Sequence, residues 1–295
     1  MRVLAVGIAA LDVISRVERF PLEDEEMRAL ARRQVRGGNA TNTLVVLSQL
    51  GHRGAWAGTL AEDGESRIIL ADLEHHGIDV RHVVRYPEGQ TPTSYICLSR
   101  ATGSRTIVHY RDLPEYRAED FDRIDLDEFG WIHFEGRAPE ETRRMLDRLQ
   151  AVRGAPRCSL EVEKPRAGIE TLFQGPEVLL FSRAYARSQG VDDARRFLLA
   201  QQRSSSARYV FVAWGDQGAY ALERGGEVVF APAWPVQEVV DTVAAGDVFN
   251  AAVIDGLARG RATADVLHYA CRLAGESCAR EGLAGLGGGE RGRDA

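Results

Sequence analysis

The chain has 295 residues, 44% hydrophobic and 27% charged, with 43 acidic against 37 basic side chains and a formal net charge of −6. Such a composition belongs to a soluble globular chain long enough to bury a sizeable core, and the interspersed charges argue against a nucleic-acid-binding face. No apolar run reaches membrane-spanning length, so no membrane partner is expected. Cys97, Cys158, Cys271 and Cys278 form no C-x-x-C pair, which suggests neither a zinc nor a redox motif and fits a reducing, cytoplasmic setting.

The opening MRVLAVGIAALDVI carries one basic residue, Asp12 interrupts it, and no small-residue cleavage site follows. It reads as a buried first strand over 3–8 rather than a signal peptide. Residues 13–36 are charged and irregular; within them the acidic run 23–26 reads as a solvated face apart from Asp24. RGGNATN (36–42) then leads into a helix over 40–51, with Leu44, Leu47 and Leu50 on its apolar face. Gly37 and Gly38 would let the backbone approach a ligand, and Asn39 and Asn42 share one face of the first turn, where amides suit sugar hydroxyls. An ordinary Gly-Gly turn with an Asn cap fits equally.

His75 and His76 read as an exposed helix end. Residues 93–110 alternate polar and apolar about a turn at 101–104, a hairpin signal. Strands follow at 131–134, 158–162, 178–181 and 209–213, with helices at 140–152, 192–202 and 264–279. Strands alternating with helices imply a mostly parallel sheet covered on both faces, and the two irregular segments would form a small sheet lying over it as a lid. Hence 1–12, 37–90 and 112–286 are expected in an α/β core, 13–36 and 91–111 in a β lid, and 287–295 in a disordered tail. Cys271 and Cys278 share a helix face as small buried hydrophobes.

No P-loop and no G-x-G-x-x-G occur, so the strand ends are where a ligand is expected. His133 reads as a core histidine. Glu161 and Glu163 share a strand face; a solvated strand end is the expected reading, metal ligation its rival. VAWGDQGA (212–219) turns the chain at Gly215 and Gly218, lining a nucleotide or merely closing a hairpin. VVDTVAAGDVFNAA (239–252) reads as a strand end at Val239-Val240 running into a helix. Ala244, Ala245, Gly246 and Asp247 would then offer free amides to an anion. Asp247 is either the helix cap or a proton acceptor whose pKa the helix terminus lowers.

These three stretches, in this order, resemble the ribokinase/PfkB family of sugar kinases. RGGNATN is similar to its G-G-N-x-x-N signature, WGDQGA to its G-x-x-G turn, and VVDTVAAGDVFNAA to its D-T-x-G-A-G-D signature. The resemblance runs from residue 3 to about 286. Within the family, LDVISRVERFPLEDEEMR, TGSRTIVHYR, WIHFEGR and EVEKPR are similar to the ketohexokinase (fructokinase) branch. The resemblance implies a ribokinase-like three-layer α/β/α core with a β lid, and ATP-dependent phosphorylation of a sugar hydroxyl, C1 of fructose first. A kinase for another sugar, a sugar acid or a nucleoside is the alternative, and a non-catalytic sugar-binding regulator the second.

Carried over, Asp12, Gly38, Asn39 and Asn42 would hold the sugar, Asp247 would be the base, and the amides at 244–247 the anion hole. Arg105 would reach between the sugar and the phosphates, with Glu135 in support. Asp24 would contact sugar from a partner subunit, in a homodimer clasped through its lid strands. Trp214, Gly215, Gly218, Pro232, Ala245, Gly246 and Cys271 would flank the nucleotide. The resemblance implies ATP and Mg²⁺, and admits a monovalent cation such as K⁺. Two departures stand out. Ala244 replaces the family's first glycine, which strains the chain if that position needs φ > 0. FSRAY (181–185) stands where many relatives carry the N-x-x-E that positions Mg²⁺, so the metal ligands stay unassigned.

Overall fold

β1 (Arg2–Val6) shows why the opening run has no polar side: Val3 and Ala5 are buried on one face of the sheet, Leu4 and Val6 on the other. The computed structural model describes residues 1–286, so the expected tail at 287–295 lies outside the described residues. The chain continues through β2 (Ala10–Val17), β3 (Ala31–Gly37), α1 (Asn39–Gln49), β4 (Arg53–Ala57), β5 (Thr59–Ala61), α2 (Gly64–His75) and β6 (Val84–Tyr86). Next come β7 (Thr93–Ser99), β8 (Arg105–Tyr110), α3 (Ala118–Phe121), β9 (Trp131–Glu135), α4 (Pro139–Ala151), β10 (Arg157–Val162) and β11 (Val178–Ser182). The remainder is α5 (Arg183–Ser188), α6 (Ala194–Ser204), β12 (Tyr209–Ala213), β13 (Ala219–Glu223), β14 (Val228–Ala231), α7 (Ala245–Ala258) and α8 (Thr263–Cys278).

Eight strands form the central sheet in the order β4-β1-β9-β10-β11-β12-β13-β14, parallel as far as β12 and antiparallel across the last two pairings. Residues of α1, α2, α7 and α8 pack on one face, and residues of α3, α4, α5 and α6 on the other. The chain runs outward from β1 to β4 and later returns to β9 on the other side of β1. This places a topological switch point at β1/β9, where an open α/β sheet leaves a crevice at its carboxyl ends. Among the described residues no helix is long and apolar enough to cross a membrane.

A second sheet, β3-β2-β7-β8, lies across that crevice. The β7–β8 hairpin forms where the alternation places it, Tyr95 facing Val108 across the pair. The charged, irregular segment is more ordered than its composition suggests. β2 and β3 pair antiparallel from Ala10↔Gly37 to Arg16↔Ala31, and β2 begins early enough that Asp12 belongs to this second sheet. Val239-Val240 ends no strand; both residues are exposed in irregular backbone, because β14 has already closed the sheet edge at Ala231. β4, Arg-Gly-Ala-Trp-Ala, gives almost no sequence signal, since its small residues suit close packing between β1 and the helices rather than intrinsic strand propensity.

Candidate active site

α1 starts at the crevice on Gly38, with φ of 102°. A Cβ there would lie 2.4 Å from the Ile8 carbonyl oxygen, and one at Gly37 would lie 2.1 Å from Asp12 Oδ2. The two glycines therefore let the chain approach itself closely, their lack of side chains leaves Asp12 its place, and Gly38 also lines the space beside Asn39 and Asn42. Neither asparagine caps the helix. Asn39 Nδ2 donates to Glu161 Oε1 at 3.1 Å and to Glu163 Oε2 at 3.2 Å, while Asn42 Nδ2 donates to Asp247 Oδ2 at 2.8 Å. The first turn of α1 thus ties β10 and α7 together around one space.

Across that space α7 begins at Ala244, which makes no side-chain cap bond; Asp247 sits inside the first turn, 5% exposed. The cap reading is excluded. Burial pushes the Asp247 carboxyl well above the usual aspartate range, Glu163 and Glu135 add to the rise, and the Asn42 amide and Arg36 oppose it. The expected lowering by the helix terminus is overridden by the loss of solvent, which penalises a carboxylate more than one turn of helix stabilises it. Gly246 faces open space.

Ala244 adopts φ 63°, ψ 8°, the left-handed conformation. An L-residue pays about 1–2 kcal/mol there, and glycine loses about 0.4–1 kcal/mol through its freer unfolded chain. Ala244→Gly is therefore expected to raise Tm by roughly 1–3 °C with turnover retained; an unchanged or lower Tm in thermal unfolding would refute strain at this position.

The floor of the space is acidic. Glu135 and Glu161 are both buried at the ends of β9 and β10. Glu135 Oε2 accepts from the Ile8 amide at 2.8 Å and its other oxygen pairs with Arg137 at 3.4 Å, so it supports Arg137 and not Arg105. The solvated strand-end reading fails for Glu161: it is 6% exposed, its Oε2 has no partner, and burial beside Asp247, Glu135 and Glu163 drives its carboxyl pKa upward. His133 is the core histidine expected, its Nδ1 2.9 Å from Ser159 Oγ and its pKa pushed down to about 3 by burial. Among the described residues no group of three or more His, Cys, Asp or Glu is arranged to hold a metal ion.

The second sheet supplies the roof. Asp12, Ser94, Ile107 and His109 line a cavity of 410 Å³ together with Asn39, Asn42, Glu161 and Asp247. Burial raises the Asp12 pKa, against the Ser94 hydroxyl, Arg36 and Arg33, which lower it. Arg105 Nη1 donates to Thr242 Oγ1 at 2.7 Å, joining β8 to the loop before α7. Nearby Arg33 Nη2 donates to Asp241 Oδ2 at 2.7 Å, a second tie between β3 and that loop. Arg105, Thr242 and Val243 also line a neighbouring cleft of 640 Å³, so the two spaces meet at the start of α7.

Other expected site residues lie elsewhere. Asp24 is exposed in the β2–β3 connection and does not line the cavity of its own chain. Trp214 packs into the core, and Gly215 and Gly218 close the β12–β13 hairpin; a Cβ at Gly218 would lie 2.1 Å from the Ala231 carbonyl oxygen. The hairpin thus forms, with Gly218 packed against the end of β14 and Gly215 in the left-handed region at φ 67°. Pro232 and Cys271 line a separate cavity of 420 Å³ beside α8. Cys271 is buried as expected, Cys278 only partly. Arg36, Ser94 and His109 also stand at the site, though no sequence motif marks them as site residues. Period-two alternation in the hairpin points Ser94 and His109 to one face, as their pairing shows; Arg36 shows no periodicity of its own.

A family model described as pfkB family carbohydrate kinase matches residues 1–286. The chain is 38% identical to ketohexokinase of Mus musculus over 293 residues, covering 97% of this chain and 98% of the mouse protein. It is 24% identical to ribokinase of Bacillus subtilis over 294 residues, covering 96% of this chain and 94% of the bacillar protein. Among solved structures, Arabidopsis thaliana ribokinase complexed with ribose and ATP has the same fold, with a TM-score of 0.78 at 20% identity over 95% of this chain and 93% of the plant chain.

Proposed function

The chain belongs to the pfkB family of carbohydrate kinases, and from that premise we propose that it transfers the γ-phosphoryl group of ATP to a ketohexose, fructose at C1 first. The observation that carries the site assignment is the Asn42–Asp247 hydrogen bond of 2.8 Å inside a cavity roofed by Asp12 and Ser94. The sugar hydroxyl attacks the γ-phosphorus, the bond to the β,γ-bridging oxygen breaks, and the hydroxyl proton passes to Asp247 as ADP leaves. The amides at 244–247 and the Arg105 guanidinium neutralise charge on the transferring group, which a loose transition state requires more than early proton removal.

Mg²⁺ fits the acidic floor. Glu161 presents a buried, unpartnered oxygen and Glu163 lies beside it across the Asn39 amide. Magnesium is ordinarily held by one or two carboxylates plus substrate phosphates. These two would hold it, and the ion would neutralise phosphate charge.

The ketohexose reading is supported by the 38% identity to the mouse ketohexokinase. A coupled ADP-release assay over ketoses, aldoses and nucleosides tests it, with the highest kcat/KM expected on fructose. A higher value on ribose or a nucleoside would reassign the substrate. Silence across the panel with sugar-induced thermal stabilisation would leave a binding protein.

We also propose a homodimer through the second sheet. Tyr95, Val108 and Tyr110 share one exposed face of β7 and β8, and Asp24 would reach sugar only from a second copy. Light scattering at micromolar concentration should give twice 32.5 kDa. A single-chain mass would refute the pairing.

A further inference from the structure

Arg36 sits near the end of β3, in the roofing sheet, yet it is 8% exposed. Its Nε donates to Asp72 Oδ2 on α2 at 2.6 Å. Its Nη1 donates to Asn42 Oδ1 at 2.6 Å and to Thr41 Oγ1 at 3.1 Å. An amide whose oxygen is held by a guanidinium must turn its nitrogen the other way, and there Asn42 Nδ2 meets Asp247 Oδ2 at 2.8 Å. The side chains form one file: Asp72, Arg36, Asn42, Asp247.

We propose that Arg36, anchored by Asp72, is a positioning residue for the phosphoryl transfer: it fixes the Asn42 amide and, through it, the Asp247 carboxylate. The inference rests on the reading of Asp247 as the base. A buried cation needs anions around it, and Arg36 has Asp72 outside and Asp247 and Asp12 inside. Asp247 in turn is faced by Glu135 from β9, Glu161 from β10 and Glu163 just beyond, all of one sign, with Arg36 the cation opposing them. Arg36 thus works twice, by geometry through Asn42 and by the positive charge it sets against the glutamates around Asp247.

Three variants of the full-length protein separate these effects in kcat-against-pH profiles. Arg36→Lys keeps the charge but not the two-pronged fork; kcat should fall about 10–100-fold with sugar KM within about threefold, the acid limb staying in place. Arg36→Gln removes the cation, so the acid limb should also move to higher pH. Asp72→Asn, at the half-exposed outer end, should move the limb to lower pH with a smaller loss of kcat. Opposite limb shifts are what a merely structural role does not produce. Wild-type kcat and profile in both Arg36→Lys and Asp72→Asn, with Asp247→Asn inactive, would overturn the positioning role alone. An active Asp247→Asn would overturn the functional reading beneath it. If the Arg36 variants fail to fold, the Asp72→Asn limb decides: no shift refutes the proposal.

Discussion

Asp247→Asn is expected to lose about 10²–10⁴ in kcat, the usual cost of a general base, and at the same time to become more heat-stable at neutral pH. Asparagine keeps an acceptor for the Asn42 amide but cannot take the hydroxyl proton, so sugar binding should hold while turnover collapses. The stability gain follows from the raised pKa of the buried carboxyl. Below the ordinary aspartate value of 3.8, folded and unfolded chains both hold the proton and the group costs nothing. As pH rises from there toward the folded value, only the unfolded chain ionises freely, and the folded protein loses stability relative to the variant. Above the folded value the cost stays constant. The Tm advantage of Asp247→Asn should therefore be a few degrees at neutral pH and shrink toward about pH 5. For the same reason, the acid limb of wild-type kcat/KM should lie above 3.8. A structural aspartate would behave in the opposite way, its loss costing stability and sparing kcat. Turnover near wild type would end the assignment of Asp247 as base.

Much of this was legible in the chain because the same physics writes pattern and fold. The strands β1, β9, β10, β11 and β12 are mostly apolar and buried nearly end to end because both faces of a parallel sheet are covered. In the hairpin β7 sets exposed Tyr95 between buried Ser94 and Ile96, whereas β8 is exposed along its whole length, so its alternation reflects no buried face within this chain. Less legible were features set by distant partners. Gly37 and Gly38 look locally like glycines that admit a ligand, and Gly38 does line the cavity; that they also make room for Asp12 Oδ2 and the Ile8 carbonyl depends on atoms from elsewhere in the chain. Arg36 looks like any surface arginine ahead of a turn until Asp72, 36 residues later, is seen to bury it. The pKa of Asp247 is raised first by its burial and then by glutamates more than eighty residues upstream, so a local rule about helix ends gave the wrong sign. The strain at Ala244 is the converse case. A single departure from a glycine pattern pointed to a left-handed residue, and the backbone is left-handed there.

Arg105→Ala should reduce kcat about 10²–10³-fold, the cost typical of removing one donor aimed at developing charge. Arg105 begins β8, and its guanidinium stands where the cavity beside Asp247 and the neighbouring cleft meet, over the start of α7. Its one side-chain hydrogen bond among the described residues goes to Thr242 in that loop, which leaves other guanidinium donors for phosphate oxygens. Sugar affinity should change less than about threefold, because Asp12, Asn39 and Asn42 are untouched and the lost interaction is one made in the transition state. Arg105→Lys keeps a point charge without the fork and should fall between wild type and Arg105→Ala. The rival explanation is that Arg105 merely latches the roof to the core. Thr242→Val separates the two, since it deletes the latch and leaves the guanidinium. If charge neutralisation is the role, Thr242→Val stays within about tenfold of wild type while Arg105→Ala does not. Equal losses in the two variants would make Arg105 a latch, and the anion site would then rest on the α7 amides alone.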